Sequence, residues 1–159
     1  LPMLELTREN AISVRFLEEM PFNGTGELSN KRYWNYIQIL SFIQSKYPHM
    51  NKLQDAQYST SMNYQIEGFK GSFGIIASYS RTFCGSCNRI RITPQGLLKT
   101  CLYDDGIFSV RDLIRAGASD RDLLIALKEA LAHRAADGHE AESAGRSFPI
   151  SESMATIGG

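Results

Sequence analysis

The chain has no surplus of either charge and no long hydrophobic run, and these two absences limit the kinds of partner that we expect it to bind. Its 159 residues include 17 lysines and arginines and 17 aspartates and glutamates, so the formal net charge is zero. Without a net field there is no general attraction for nucleic acid or for an anionic membrane surface, and we expect neither as a partner. No apolar stretch approaches the roughly 20 residues that span a bilayer, and the first residues lack a signal-peptide pattern. We therefore expect a cytoplasmic protein that binds anions only through local basic clusters.

Cysteine is scarce, and all of it lies in one short stretch. The three cysteines are Cys84, Cys87 and Cys101. An odd count that includes a CxxC pair is not typical of a secreted disulfide framework, and it indicates a metal or redox site in a reducing compartment. Three thiolates are one ligand fewer than a closed tetrahedral zinc site or a fully Cys-ligated four-iron cluster requires. The sequence therefore predicts a metal site with one open coordination position.

Histidine is scarce too, and this bears on the identity of the metal. Thiolates accept zinc, copper(I) or iron with sulfide, and cysteine spacing alone does not choose among them. A zinc site would take its fourth ligand from His49, His133 or His139, none of which belongs to a second ligand pair. We interpret each histidine as a solvated or helix-capping residue and favour an iron–sulfur cluster with one open iron. A zinc-stabilised interaction module and a metal-free chain with three thiols are the alternatives.

The first half of the chain predicts a strand and a helix followed by short strands. Residues 11–20 are rich in β-branched and aromatic side chains, which predicts a largely buried strand. Ser29 is placed to cap a helix whose apolar residues recur at helical spacing until Pro48. Such a strand, loop and helix form the unit from which α/β barrels are built. After Pro48 we expect strands near residues 64–67 and 73–79, with no helix between them.

A β-hairpin is predicted around the sequence TPQG, between residues 89–93 and 97–102. Proline at the second position and glycine at the fourth are typical of a type I turn. A turn centred between Pro94 and Gln95 pairs residues whose numbers sum to 189, so Cys101 would face Asn88 and lie close to Cys87. A bulge that slipped the register by one residue would move Cys101 to the other face.

Two arginines follow the CxxC pair at alternate positions. Arg89 and Arg91 would share one face of the strand, within reach of the metal, while Ile90 and Ile92 would point the other way. Paired guanidinium groups suit bidentate recognition of phosphate. A solvated strand face is the ordinary alternative, but an incompletely ligated metal beside the arginines favours a phosphorylated substrate.

The C-terminal part predicts two helices and a tail. Ser109 and Ser119 each stand three residues before an aspartate, as in a capping box, and Gly117 separates the two helices. In the second helix one apolar stripe is expected to consist of Leu123, Leu127 and Leu131. From residue 135 the chain has no hydrophobic period, and we expect residues 135–145 and much of 146–159 to be mobile when nothing binds them.

Four segments carry a resemblance to a known family. Residues 83–103 read FCGSCNRIRITPQGLLKTCLY and resemble the C-terminal cluster motif of the GTP 3′,8-cyclase family of radical SAM enzymes. Residues 14–20 (VRFLEEM) resemble a late barrel strand of that family, and residues 111–123 (RDLIRAGASDRDL) and the terminal Ile-Gly-Gly resemble its closing segments. Other radical SAM enzymes with two clusters resemble the chain less, because the NRIR sequence argues against them.

The resemblance implies the α/β fold class for the parent protein and an α+β fragment for this chain. Residues 1–48 would be the last strand–helix unit of an incomplete radical SAM barrel. The strand at residues 11–20 would then have lost a neighbouring strand. Residues 49–145 would form an iron–sulfur and GTP-binding domain, with a small antiparallel sheet, the cysteine hairpin and C-terminal helices. Residues 146–159 would be a flexible tail. The family's CxxxCxxC motif for the SAM-cleaving cluster is absent, and the chain begins with leucine, so we expect a fragment or processed chain that is inactive alone.

The resemblance also implies roles for particular residues in making 3′,8-cyclo-GTP for the molybdopterin cofactor. Cys84, Cys87 and Cys101 would ligate a 4Fe–4S cluster whose open iron binds GTP, and Met20 would contact S-adenosylmethionine. The GTP-binding residues would be Arg89, Ile90, Arg91, Arg15, Gly158 and Gly159. The implied partners are GTP, the missing N-terminal radical SAM region, a second copy in a homodimer, and cyclic pyranopterin monophosphate synthase as the next enzyme.

Overall fold

The computed structural model describes residues 1–22, 33–145, 153, 154 and 157. The chain divides into two compact units, of which the first comprises Leu1–Met20 and Leu28–Cys87 and the second Pro21–Glu27 and Asn88–Gly159. The boundary predicted at residue 48 falls inside the first unit. Helices and two small sheets make up the described chain, as expected for an α+β fragment, and no described helix has the length and apolarity needed to cross a membrane. The radical SAM barrel stays a prediction.

The first unit is a four-stranded mixed sheet with two helices. Its strands are β1 (Ser13–Leu17), β2 (Met50–Lys52), β3 (Ser61–Ile66) and β4 (Ser72–Ile76), in the order β1-β4-β3-β2. β1 pairs in parallel with β4, and the other neighbours pair antiparallel. Helices α1 (Pro2–Glu9) and α2 (Tyr36–Lys46) contribute to the core, which consists of Leu4, Ile43, Tyr64, Ile66, Phe69, Phe73 and Ile75.

β1 is shorter and more exposed than predicted. Its burial alternates along the strand, and Leu17 is 55% exposed. The prediction of a largely buried strand was therefore wrong. β1 lies at the edge of its sheet, and successive side chains point to opposite faces, so only Val14 and Phe16 pack against the core.

Both helices of this unit begin with signals that are visible in the sequence. α2 begins after Asn35, whose side chain accepts a hydrogen bond from Gln38 N at 2.9 Å, while Gln38 Oε1 accepts one from Asn35 N at 3.0 Å. This capping box starts the helix later than predicted, and the predicted cap, Ser29, lies outside the described residues. α1 was not predicted, although Pro2 suits the first position of a helix.

The second unit is a three-stranded antiparallel sheet followed by helices. Its strands are β5 (Arg91–Ile92), β6 (Leu97–Lys99) and β7 (Phe108–Ser109), and its helices are α3 (Val110–Arg115), α4 (Asp120–Ala132) and α5 (Gly138–Ala144). Ser109 and Ser119 cap α3 and α4, which confirms the prediction. Gly117, with φ +85°, follows the end of α3 in the left-handed conformation that such a helix end requires.

One expectation about the C-terminal part was wrong. Residues 135–145 are not without structure, because Asp137 Oδ1 accepts hydrogen bonds from His139 N at 2.8 Å and Glu140 N at 2.9 Å and so starts α5. Helix α4 contains all three leucines of the predicted stripe, of which Leu131 is exposed, while Ala130 is the buried residue of that turn.

Part of the expected flexible tail is packed within the second unit. Met154 N donates to Phe22 O at 3.1 Å, and Ile157 is fully buried. Mobility of the rest of the tail stays a prediction. Gly158 and Gly159 lie outside the described residues.

Candidate functional site

The CxxC pair forms a single turn at the end of the first unit. A 3₁₀ helix covers Cys84–Ser86, and Cys87 N donates to Cys84 O at 3.1 Å. Both cysteines are half-buried. Apart from its chain neighbours and the backbone of the turn, no described residue lies within 4 Å of the point where a Cβ on Gly85 would stand, so space beside the turn is open in the described part of the chain. Two cysteines on one such turn have the spacing that metal sites use.

A buried carboxylate fixes the chain just before this turn. Glu18 is fully buried, and its Oε1 accepts hydrogen bonds from Tyr36 N at 2.6 Å and Ser80 Oγ at 2.7 Å. Its Oε2 accepts from Tyr79 N at 2.9 Å and Ser80 N at 2.6 Å. The carboxylate therefore joins the end of β1, the first turn of α2 and the segment that leads to Cys84. The role was missed because nothing in the sequence separates the buried glutamate from its neighbour, Glu19.

Backbone strain accompanies the same segment. Arg81 is buried and has φ +56°, the left-handed conformation that is uncommon for any residue other than glycine. Its carbonyl oxygen accepts a hydrogen bond from Cys84 N at 3.2 Å, and its guanidinium lies 5.8 Å from the centre of the Tyr79 ring. Such conformations persist where the surrounding structure enforces them, and they cluster at functional sites.

The hairpin after the CxxC pair forms, but its register differs by one residue from the predicted one. Residue numbers sum to 190 in both pairs of the ladder, Arg91 with Lys99 and Ile92 with Leu98. The prediction that Cys101 faces Asn88 was therefore wrong. The observed ladder contains neither of these two residues, because pairing ends at Arg91 and Lys99.

The loop of the hairpin explains the shifted register. Gly96 N donates to Thr93 O at 2.8 Å, which closes the predicted type I turn. Gly96 itself has φ +83°, and Thr93 N then donates to Leu97 O at 2.9 Å. A type I turn followed by a left-handed residue is a three-residue hairpin loop. The predicted two-residue loop was one residue too short.

The arginine side of the hairpin is less exposed than the isoleucine side. Arg89 and Arg91 are half-buried, whereas Ile90 is 44% and Ile92 54% exposed. Lys99 stands directly opposite Arg91 and is 1% exposed. Directly opposed residues of an antiparallel pair lie on the same face, so a third basic residue shares the side of Arg91. Lys99 was not among the predicted site residues, because its position depends on the register.

The third cysteine lies in a turn that forms around Asp104. Asp104 Oδ2 accepts hydrogen bonds from Thr100 N at 2.8 Å, Thr100 Oγ1 at 2.9 Å and Cys101 N at 2.7 Å. Asp104 Oδ1 accepts from Gly106 N at 2.9 Å. One carboxylate thus receives four donors from the loop between β6 and β7, and Cys101 is half-buried within that loop.

Two more of the predicted site residues, Met20 and Arg15, lie in the first unit. Met20 is half-buried three residues after β1. Arg15 is exposed on β1 and donates to Ser13 Oγ. Arg15 Nη1 lies 2.8 Å from the point where a Cβ on Gly74 would stand, so the guanidinium lies beside β4.

The donor set suits a soft metal or an iron–sulfur cluster, since all three candidate ligands are half-buried thiols. Among the described residues, no three His, Cys, Asp or Glu side chains are grouped so that they could hold a metal ion. Cys84 and Cys87 belong to the first unit and Cys101 to the second, and their assembly into one site stays a prediction. His133 Nδ1 lies 2.9 Å from Glu129 O, in keeping with the helix-capping interpretation.

Comparison with known proteins gives a match over most of the chain. The family model described as Molybdenum Cofactor Synthesis C matches residues 12–140. Molybdenum cofactor biosynthesis protein 1 of Dictyostelium discoideum is 43% identical over 124 residues, which are 76% of this chain and 20% of that protein.

Two further relatives carry the name of an enzyme. The mitochondrial GTP 3′,8-cyclase of Arabidopsis thaliana is 37% identical over 120 residues, 76% of this chain and 30% of that protein. The GTP 3′,8-cyclase of Moorella thermoacetica is 34% identical over 140 residues, 87% of this chain and 43% of that protein. The chain therefore spans less than half the length of each of these three relatives.

Proposed function

The chain belongs to the Molybdenum Cofactor Synthesis C family, and from this we propose that it is the iron–sulfur and GTP-binding part of a GTP 3′,8-cyclase. The enzyme would convert GTP to 3′,8-cyclo-GTP for the molybdopterin cofactor. The observation that carries the proposal is the CxxC turn followed by a hairpin whose half-buried face bears the arginines. The matched residues 12–140 include the whole of this arrangement.

Cys84, Cys87 and Cys101 are the proposed ligands of a 4Fe–4S cluster. Thiolates accept zinc as well as iron with sulfide, and the lack of a fourth ligand beside the three cysteines in the sequence favours the cluster, in which one iron needs no protein ligand. A shared turn gives the first two thiols suitable spacing. The cluster would supply one iron without a protein ligand, to which the substrate base can bind. The protein's part is to hold three thiolates on short, hydrogen-bonded turns.

Arg89 and Arg91 are the proposed ligands of the triphosphate. Both residues are half-buried, guanidinium groups suit charge-assisted, bidentate contacts to phosphate oxygens, and Lys99 adds positive charge on the side of Arg91. Ile90, between them in the sequence, is a further proposed GTP contact. Arg15 is a further proposed phosphate contact, and the Gly158–Gly159 tail is proposed to approach the ligand through its backbone.

The radical-forming step requires a region other than these 159 residues, because the sequence has no CxxxCxxC motif. We expect no turnover of GTP by this chain alone. When that region is present, Met20 would contact S-adenosylmethionine. The complete enzyme is proposed to act as a homodimer and to pass its product to cyclic pyranopterin monophosphate synthase.

GTP binding tests the assignment of the phosphate ligands. After anaerobic reconstitution with iron and sulfide, equilibrium dialysis of the chain against GTP should show binding. The double variant Arg89→Ala/Arg91→Ala should bind about 100-fold more weakly, since two charge-assisted contacts of about 1.5 kcal/mol each are lost.

A matched control is the double variant Arg115→Ala/Arg121→Ala, which removes two exposed arginines from helices of the same unit. Its affinity for GTP should equal that of the unmodified chain. Equal affinity in the Arg89/Arg91 variant would contradict the phosphate role. A colourless preparation that contains only zinc and does not bind GTP would favour a zinc-stabilised interaction module instead.

A further inference from the structure

We propose that Asp104 is a positioning residue for Cys101, an inference that rests on the proposed role of Cys101 as a cluster ligand. The observation is a carboxylate with four hydrogen-bond donors, three of which come from Thr100 and Cys101. The Cys101 N to Asp104 Oδ2 distance of 2.7 Å is the shortest of the four. The carboxylate therefore holds the backbone of the cysteine itself.

The sheet does not hold this segment. Pairing of β6 ends at Lys99 and pairing of β7 begins at Phe108, so the intervening loop makes few ladder hydrogen bonds. Ile107 N donates to Leu98 O at 2.8 Å and returns the chain to the sheet. Between these points the four bonds to Asp104 replace the missing ladder, and bonds to a carboxylate are stronger than those between neutral groups.

The far end of the loop is also fixed in place. Gly106, which donates to Asp104 Oδ1, has φ +94°, and a Cβ there would stand 2.2 Å from Leu97 Cδ2. The loop therefore closes tightly against β6, with Asp104 spanning its interior from Cys101 to Gly106. Loss of the carboxylate releases the cysteine end of the loop while the sheet on either side remains paired.

The rate at which iodoacetamide alkylates each cysteine of the metal-free chain, measured by peptide mass spectrometry, tests this inference. Cys84 and Cys87 serve as internal references, because they belong to the other compact unit. In Asp104→Ala the rate at Cys101 should rise about tenfold, since local opening becomes more frequent, and the rates at the other two cysteines should not change. The control Asp120→Ala, which removes an exposed carboxylate of the same unit, should leave all three rates unchanged.

Two further variants keep the outcomes separate. Asp104→Asn retains one carbonyl oxygen and should give an intermediate rate at Cys101, which decides the question if the alanine variant does not fold. An unchanged Cys101 rate in folded Asp104→Ala would overturn the inference. The iron content of the reconstituted Cys101→Ser variant tests the proposed ligand role by itself, and full iron content in this variant would refute that role. If Cys101→Ser loses iron but the Cys101 rate is unchanged in Asp104→Ala, only the positioning role is refuted.

Discussion

Replacement of Glu18 by glutamine should destabilise the first unit strongly, although the two side chains have nearly the same shape. Each carboxylate oxygen of Glu18 accepts two hydrogen bonds, and the residue is fully buried. The glutamine amide can direct its NH₂ group toward either pair of donors. In the less costly orientation the NH₂ group faces Tyr36 N–H and Ser80 Oγ, and of these two only the hydroxyl can turn to accept a hydrogen bond. One buried backbone donor then loses its partner and the remaining bonds lose their charge assistance, which together cost about 2–4 kcal/mol.

Urea unfolding followed by tryptophan fluorescence measures this cost for the first unit, which contains Glu18. Trp34 is the single tryptophan of the chain, belongs to the first unit, and packs edge-on against Phe42 at 5.1 Å between ring centres. The control Glu9→Gln removes an exposed carboxylate that pairs with Lys70 and should change the free energy of unfolding by less than about 0.5 kcal/mol. If Glu18→Gln unfolded at the same urea concentration as this control, the buried carboxylate would not be holding the three segments together.

Two other perturbations test the second unit and the acid response of the first. Gly96→Ala should destabilise the hairpin by about 1–3 kcal/mol, because φ of Gly96 is +83° and the new Cβ would lie 2.4 Å from the Cβ of Arg111. Thermal unfolding measures this loss, and an unchanged melting temperature would contradict the three-residue loop. Burial raises the pKa of Asp55, but hydrogen bonds from Lys52 and Asn63 outweigh it and hold the pKa below the ordinary 3.8. The contribution of Asp55 to stability is therefore present above pH 3.8 and is lost as the pH falls through the lowered pKa. The free energy of unfolding of Asp55→Asn should depend less steeply on pH in acid than that of the unmodified chain, and identical curves would refute the role of Asp55.

The helix starts show what short-range sequence signals can predict. Ser109 and Ser119 accept hydrogen bonds from residues three positions ahead, as their spacing predicted. The Asn35–Gln38 capping box was equally visible in the sequence, but helical periodicity was extended too far upstream of it. Caps depend on neighbouring residues alone, so they can be recognised without knowledge of the fold.

The site itself depends on features that local patterns do not determine. The hairpin was predicted, but the left-handed conformation of Gly96 lengthened its loop by one residue and placed Lys99 opposite Arg91. Glu18 and Asp104 receive their donors from segments that come together only in the folded chain or in a closed loop. Their carboxylates could not be distinguished in the sequence from those of Glu19 and Asp105.

The electron paramagnetic resonance spectrum of the anaerobically reconstituted and reduced chain, recorded with and without GTP, tests the central claim most directly. A 4Fe–4S cluster held by Cys84, Cys87 and Cys101 should give a signal that GTP shifts, because the substrate would bind at the iron that has no protein ligand. A chain that gives no iron–sulfur signal, or a signal that saturating GTP leaves unchanged, would contradict the proposal that these cysteines build a substrate-binding cluster.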